Sequence, residues 1–204
     1  MFTQNKINGF LILACFVLGP FSWAQVRITR NPGAAKAASK SDINYRIEPI
    51  AGLETVFRDS PTPHTSTRAI YGLRLVAGAD WLSAETEYTK AEDTENYTTA
   101  PEKVVNKDEK LKLGLRTTKN LGSVFFTTFR VGGQATHHIN ESTSSGITTT
   151  TDKPITYAPY AGLQLGLRLG NFAQFSVGST MVFTNNQDFS KNEVQNTVSL
   201  SLGI

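Results

Sequence analysis

The chain holds a single cysteine, Cys15, among 204 residues, and it has only two tryptophans, two methionines and three histidines. One thiol cannot form an intrachain disulfide or a multi-cysteine metal site. Long apolar runs are also missing. A membrane-spanning helix needs about 20 consecutive apolar residues, and the sequence supplies none. Charge of one sign is scarce too: the formal net charge is +3, and no basic helix or basic–aromatic cluster accompanies it, which argues against a nucleic-acid partner. Charged residues make up 18% and hydrophobic residues 39%, so the chain is neither disordered nor a helical membrane protein, and its length suits one domain. The mean hydropathy of −0.22 is that of a soluble protein.

What is present begins with MFTQNKINGFLILACFVLGPFSWAQ. Lys6 is a short positive region, Phe10 to Leu18 an apolar core, and Ser22-Trp23-Ala24 a small-x-small cleavage site. The expected boundaries are a signal peptide over 1–24, a flexible basic leader over 25–42 and one folded domain over 43–204. Cys15 lies inside the apolar core. The alternative, a lipidated Cys15 after Ile12-Leu13-Ala14, is weaker because apolar residues continue through Phe16-Val17-Leu18. Cleavage after Ala24 removes the cysteine, and with it any thiol chemistry.

The folded part is dominated by alternation. Near the end, Val194, Val198, Leu200, Leu202 and Ile204 share one face with Asn196, while Glu193, Gln195, Thr197, Ser199, Ser201 and Gly203 make the other. A period of two means a strand with one apolar and one polar face. The pattern recurs over 45–57, 69–78, 82–89, 111–118, 125–136, 157–169, 173–183 and 192–204. Polar connections near 58–67, 91–109, 137–155 and 185–191 are long; those at 78–80, 119–122 and 170–171 are tight. Apolar alternation with loops long on one side and short on the other predicts an all-β, eight-stranded, antiparallel up-and-down transmembrane β-barrel. Its polar inner face accounts for the low hydropathy. Aromatics sort to two levels, Phe57, Tyr71, Tyr88, Tyr157 and Phe183 beside the long loops, and Tyr45, Trp81, Phe125 and Phe172 beside the short turns, as interfacial girdles do. Pro49 and Pro159 fall inside strand runs and cannot donate to a ladder; Pro49 is expected to mark a bulge and Pro159 a rim.

The inward face carries Arg46, Glu48, Glu54, Arg74, Glu85, Glu87, Lys112, Arg116, Arg130, Arg168 and Glu193. A barrel of eight strands is just wide enough for side chains to fill it, so charges of both signs are expected to pair. Glu85, Glu87, Arg74, Lys112 and Arg116, on three consecutive strands, are expected at the centre. The network reads as a polar plug in place of a hydrophobic core, with a gated pore or proton path as the alternative. His64, His137 and His138 all lie in or beside long loops. His137-His138 near Glu141 and Ser142 invites comparison with outer-membrane lipid A deacylases, but the His-x-Ser signature is not reproduced, and no His-x-His pair suggests a metal. No catalytic, cofactor or metal site is expected. A soluble lipocalin-like binder is the other rival, and it needs the faces reversed. Asn96-Tyr97-Thr98 and Asn140-Glu141-Ser142 match a glycosylation sequon, a match without meaning in a bacterial envelope.

The segments WLSAETEYTK, APYAGLQLGLRLG and VSLSLGI resemble parts of the small eight-stranded outer-membrane proteins, the family of outer-membrane protein X and the barrel domain of outer-membrane protein A. The resemblance is architectural and covers about residues 43–204. It implies a monomer in a bacterial outer membrane, in contact with membrane lipids and lipopolysaccharide, without cofactor or catalysis, and serving envelope integrity, surface contact or adhesion. It also implies that the barrel-assembly machinery reads the C-terminal strand, where the family commonly ends in Phe and this chain in Ile204.

Overall fold

A computed structural model describes residues 44–59, 62–79, 81–98, 101–170 and 172–203. The expected signal peptide over 1–24 and leader over 25–42 lie outside these residues. Each alternating run forms a strand: β1 (Asn44–Arg58), β2 (His64–Ala79), β3 (Leu82–Asn96), β4 (Lys103–Asn120), β5 (Phe125–Ser144), β6 (Ile147–Asp152), β7 (Thr156–Arg168), β8 (Ala173–Val182) and β9 (Glu193–Gly203). All pairings are antiparallel. The ladder runs from β4 through β3, β2, β1, β9, β8 and β7 to β5, and β5 pairs back onto β4. Eight strands therefore close into a ring. β6 stands outside it, paired only with β5.

The two faces are distributed as a membrane barrel requires. Leu165 on β7 is 55% exposed, whereas Arg74 on β2 is 0% exposed. Leu73, Leu75, Leu113, Leu115, Leu163, Val177, Val198 and Leu200 complete an exposed apolar belt, and the buried side of the same strands is mostly charged or polar. A soluble lipocalin-like binder would need the reverse. Closure follows from the belt: in hydrocarbon an unpaired backbone N–H or C=O costs about 2–7 kcal/mol, so no open edge survives at that depth.

Four sequence expectations need correction. The connections expected over 91–109 and 137–155 are mostly sheet. β3 and β4 stay in register from Ala91 opposite Asp108 to Asn96 opposite Lys103. β5 continues to Ser144 and turns through Ser145-Gly146, both with positive φ (51° and 79°), into β6. That is the two-residue hairpin geometry whose twist matches the flanking strands. Beyond the apolar belt both faces meet water, so the hydrophobic period vanishes while Thr, Val and Ile still favour extended backbone. The connection expected over 58–67 shrinks for the same reason, since β1 reaches Arg58 and β2 starts at His64.

Pro49 marks no bulge. The β1–β9 ladder omits Glu48 and Pro49, yet Ile47 opposite Leu202 and Ile50 opposite Ser199 keep one register. The proline removes a donor without inserting a residue. Pro159 lies where β7 loses its partner: the β8 ladder ends at Tyr160 opposite Val182, and the Pro159 carbonyl accepts from Phe183 N–H at 2.9 Å.

Inside the ring, two aromatic rings lie over glycines. The Tyr160 ring covers Gly114 and Gly132, where an added Cβ would stand 2.2 Å from Tyr160 Oη and 2.8 Å from its Cε1. The Phe126 ring sits 2.1 Å from the Cβ position of Gly166. The belt makes a direct prediction. Leu165→Arg places a cation at mid-belt and is expected to cost about 2–4 kcal/mol or block assembly. Urea unfolding in lipid vesicles measures it, and unchanged stability there contradicts lipid contact at this face.

Candidate functional site: the charged lumen

Parity along the strands brings twelve charged side chains into the interior: Glu48, Glu54, Glu85, Glu87, Asp108 and Glu193 against Arg68, Arg74, Lys110, Lys112, Arg116 and Arg130, all buried. Six acids meet six bases, so the cluster is neutral when fully ionised. Its lower tier turns on Glu87 and Glu85. Arg74 Nε donates to Glu87 at 2.8 Å and its Nη1 to Glu48 at 2.7 Å. Lys112 donates to Glu87 at 2.5 Å, and Arg130 reaches Glu87 at 2.7 Å and Glu85 at 2.8 Å. Tyr160 Oη donates to Glu85 at 2.7 Å. Arg116 donates to the second oxygen of Glu48 at 2.9 Å.

The upper tier centres on Glu54, which accepts from Arg68 at 2.7 Å, from Gln195 at 3.1 Å and from Lys110. Lys110 also pairs with Glu193 at 2.8 Å. Many of these contacts join strands that are not neighbours. Arg116 on β4 meets Glu48 on β1, Tyr160 on β7 meets Glu85 on β3, and Lys112 on β4 meets Gln195 on β9. Opposite walls of the ring touch through their side chains.

The upper tier passes into the outer mouth, above the belt. Arg68 bonds Asp108 and, at 3.0 Å, Asp93. Asp108 bonds His138. Arg58 donates to Asp93 at 2.8 Å, and His64 pairs with Glu95 at 2.9 Å. His64 is held above the ordinary histidine value by its bond to the Thr62 carbonyl and then by Glu95. Burial raises the Glu95 carboxyl, but hydrogen bonds from Tyr97 and His64 outweigh it and hold it low. Burial, and then the Glu95 carboxylate, push the Tyr97 hydroxyl up to about 12. A polar cavity of about 500 Å³ opens here, lined among others by Arg58, Asn106, His138, Asn140, Ser142 and Lys153.

Of the inward residues expected from sequence, nine sit in the two tiers: Glu48, Glu54, Arg74, Glu85, Glu87, Lys112, Arg116, Arg130 and Glu193. Arg46 and Arg168 are only half-buried at the short-turn end, where Arg168 donates to Asn120 at 2.6 Å. Arg116 does not meet Glu85 or Glu87 directly. Register sets it opposite Ser83, with Gly114 opposite Glu85 and Lys112 opposite Glu87, so its partner comes from across the lumen. Sequence reasoning missed Arg68, Asp108 and Lys110, because their segments were read as loop or strand end. Extending the parity of Arg74 and Lys112 by a few residues would have found them.

Among the aromatics, Tyr71, Tyr88 and Tyr157 are exposed at the outer edge of the belt, and Tyr45, Trp81, Phe125 and Phe172 at the other. Phe57 and Phe183 depart from that arrangement. They are half-buried because the 185–191 connection folds over them, with Lys191 Nζ 4.6 Å from the Phe57 ring centre and Phe189 6.3 Å from Phe183.

No protein family matches the sequence, and no curated protein does. Solved structures do match in shape. Neisserial surface protein A aligns with 78% of this chain and 96% of its own length at a TM-score of 0.58 and 7% identity. The N-terminal β-barrel domain of OprF from Pseudomonas aeruginosa aligns with 78% of this chain and 97% of its own, at 0.51 and 9%. The chain has the fold of the small eight-stranded outer-membrane barrels. Ail, the attachment invasion locus protein of Yersinia pestis, aligns with 79% of this chain and 97% of its own length, at 0.50 and 7%. At such identities the likeness concerns the fold alone.

The barrel's cross-lumen pairs are testable. Removing one partner of Arg116–Glu48 leaves a buried charge uncompensated, at a cost of about 3–5 kcal/mol. R116M and E48Q are each expected to fall in that range, and the double variant to cost much less than their sum. Urea unfolding in vesicles completes the cycle; additive effects mean the two groups are hydrated separately.

Proposed function

We propose that this chain is a non-enzymatic protein of the bacterial outer membrane, its lumen plugged by ion pairs, serving envelope integrity or surface contact. The observation that carries the reading is the neutral set of twelve buried charges whose contacts span the ring from wall to wall. Moving an ion through such a lumen requires breaking several charge-assisted bonds at once.

The placement follows from the apolar belt, which suits membrane lipid, and from the overrun of β2 to β6 beyond it, which suits the cell exterior. On this reading the barrel is a monomer in contact with lipids and lipopolysaccharide, delivered by a cleaved signal peptide, with β9 recognised by the barrel-assembly machinery. The Thr-, Asn- and Ser-rich outer sheet supplies the surface for contact. One structural neighbour carries attachment in its name, which is in keeping with that role. Catalysis finds little support: His137 bonds Asp152 and His138 bonds Asp108, and among the described residues no serine hydroxyl bonds either ring.

Planar-bilayer recording tests the plug. The purified barrel is expected to show at most rare, small conductance steps. Stable, large single-channel conductance overturns the reading. Lowering the charge density, as in a combined R74M/E87Q variant that still folds, is expected to raise step frequency.

A further inference from the structure

All three histidines of the chain are bonded to carboxylates, and each pair crosses a seam of the outer sheet. His64 on β2 meets Glu95 on β3 at 2.9 Å, His138 on β5 meets Asp108 on β4, and His137 on β5 meets Asp152 on β6 at 2.6 Å. The remaining seam, β3 to β4, is joined by Lys90 and Glu109 at 2.7 Å, a pair that keeps its charges through neutral pH. No histidine lies in the apolar belt. We propose that one of the three, the His64–Glu95 pair, is a pH-responsive clamp that tightens the β2–β3 seam of the outer sheet in mildly acidic surroundings and loosens it above neutrality.

Geometry alone fixes the charge state of one member. His64 Nδ1 lies 2.7 Å from the Thr62 carbonyl and Nε2 lies 2.9 Å from the Glu95 carboxylate. Both partners can only accept, so both ring nitrogens must donate, which only the imidazolium does. Deprotonation therefore breaks one of the two bonds. The sign follows. A histidine whose pKa is raised on folding adds stability that is fully present below its unfolded value of about 6.5 and is lost as pH rises through the folded value. Between about pH 4.5 and 6.5 the Glu95 carboxylate remains ionised while the His64 ring is charged, so the clamp is closed in that window.

The charged surroundings qualify each pair differently. Around His64, Arg58 opposes the imidazolium, while Glu95, with Tyr97 bonded to it, and nearby Asp93 favour it. His138 faces Asp108, which Arg68 shares and Lys110 also feels, and Lys153 lines the same cavity. His137 faces Asp152 and stands opposite Glu109, itself held by Lys90. Asp152 is largely exposed, so the His137 pair is screened. His138 is one of the residues that line the outer cavity.

Amide hydrogen exchange of the folded barrel in lipid nanodiscs, corrected for intrinsic rates, tests the clamp at pH 5.5 and 8.0. Protection over 64–68 and 91–96, the two sides of the His64–Glu95 seam, is expected to fall at the higher pH. Strands 69–78 and 157–167 are expected to stay unchanged. In H64Q, which keeps a polar group but no titrating ring at this seam, the pH response is expected to vanish. Equal protection at both pH values, or a response that persists in the variant, overturns the clamp. Should the variant fail to fold, NMR titration of the wild-type His64 ring decides: a pKa above about 6.5 supports the clamp and one at or below it refutes it.

Discussion

Hydrocarbon offers no hydrogen-bond partner to a polypeptide backbone, and the rest of this structure depends on that constraint. Every strand in the belt must be paired on both edges, so β1 meets both β2 and β9, and β4 meets both β3 and β5. Closure with eight strands gives a ring so narrow that inner side chains reach the opposite wall. Once the ring is that narrow, each inner residue answers to residues far away in sequence. Glu48 binds Arg116 across 68 positions, and Glu85 binds Tyr160 across 75.

A lumen of this width could be filled by apolar groups, by water or by paired charges. The chain uses charges, and the requirement on them is strict. A buried ion pair gives little net stability over apolar packing, but removing one partner is costly. The balance of six acids and six bases reflects that penalty. Pairing also specifies register. A slip of one residue on β3 would turn Glu85 and Glu87 to lipid and bring Thr86 and Tyr88 inside, stranding Arg74, Lys112 and Arg130. Glycines at 114 and 132 add a steric condition, because only there can the Tyr160 ring lie flat and reach Glu85.

Above the belt the constraint relaxes, since water can satisfy backbone and side chain alike. The sheet persists there on strand propensity and seam contacts: Thr143 with Thr148 at 3.0 Å, Lys107 with Glu141 at 2.6 Å, and the histidine pairs. Such exposed contacts are individually weak and sensitive to salt and pH. The same polypeptide thus has one half held by ring closure and buried charge, and an outer half held by weaker, exposed contacts.

The period of two, the apolar belt and the strand count were legible in the sequence because they are local consequences of one face meeting lipid. Leu111, Leu113 and Leu115 announce themselves without knowledge of any partner. The inward direction of Glu48, Arg74, Glu87, Lys112 and Arg130 was legible for the same reason, since parity fixes the side. Where both faces meet water the signal disappears, and so the outer lengths of β2, β3, β4 and β5 and the whole of β6 were read as loop or strand end, taking Arg68, Asp108 and Lys110 with them. Which charge meets which was decided only by the closed ring. Arg116 has Glu85 and Glu87 near it in strand order, yet it binds Glu48, because register and the curvature of the wall set the distances. Local alternation carries the direction of a side chain; the partner at its end is a property of closure.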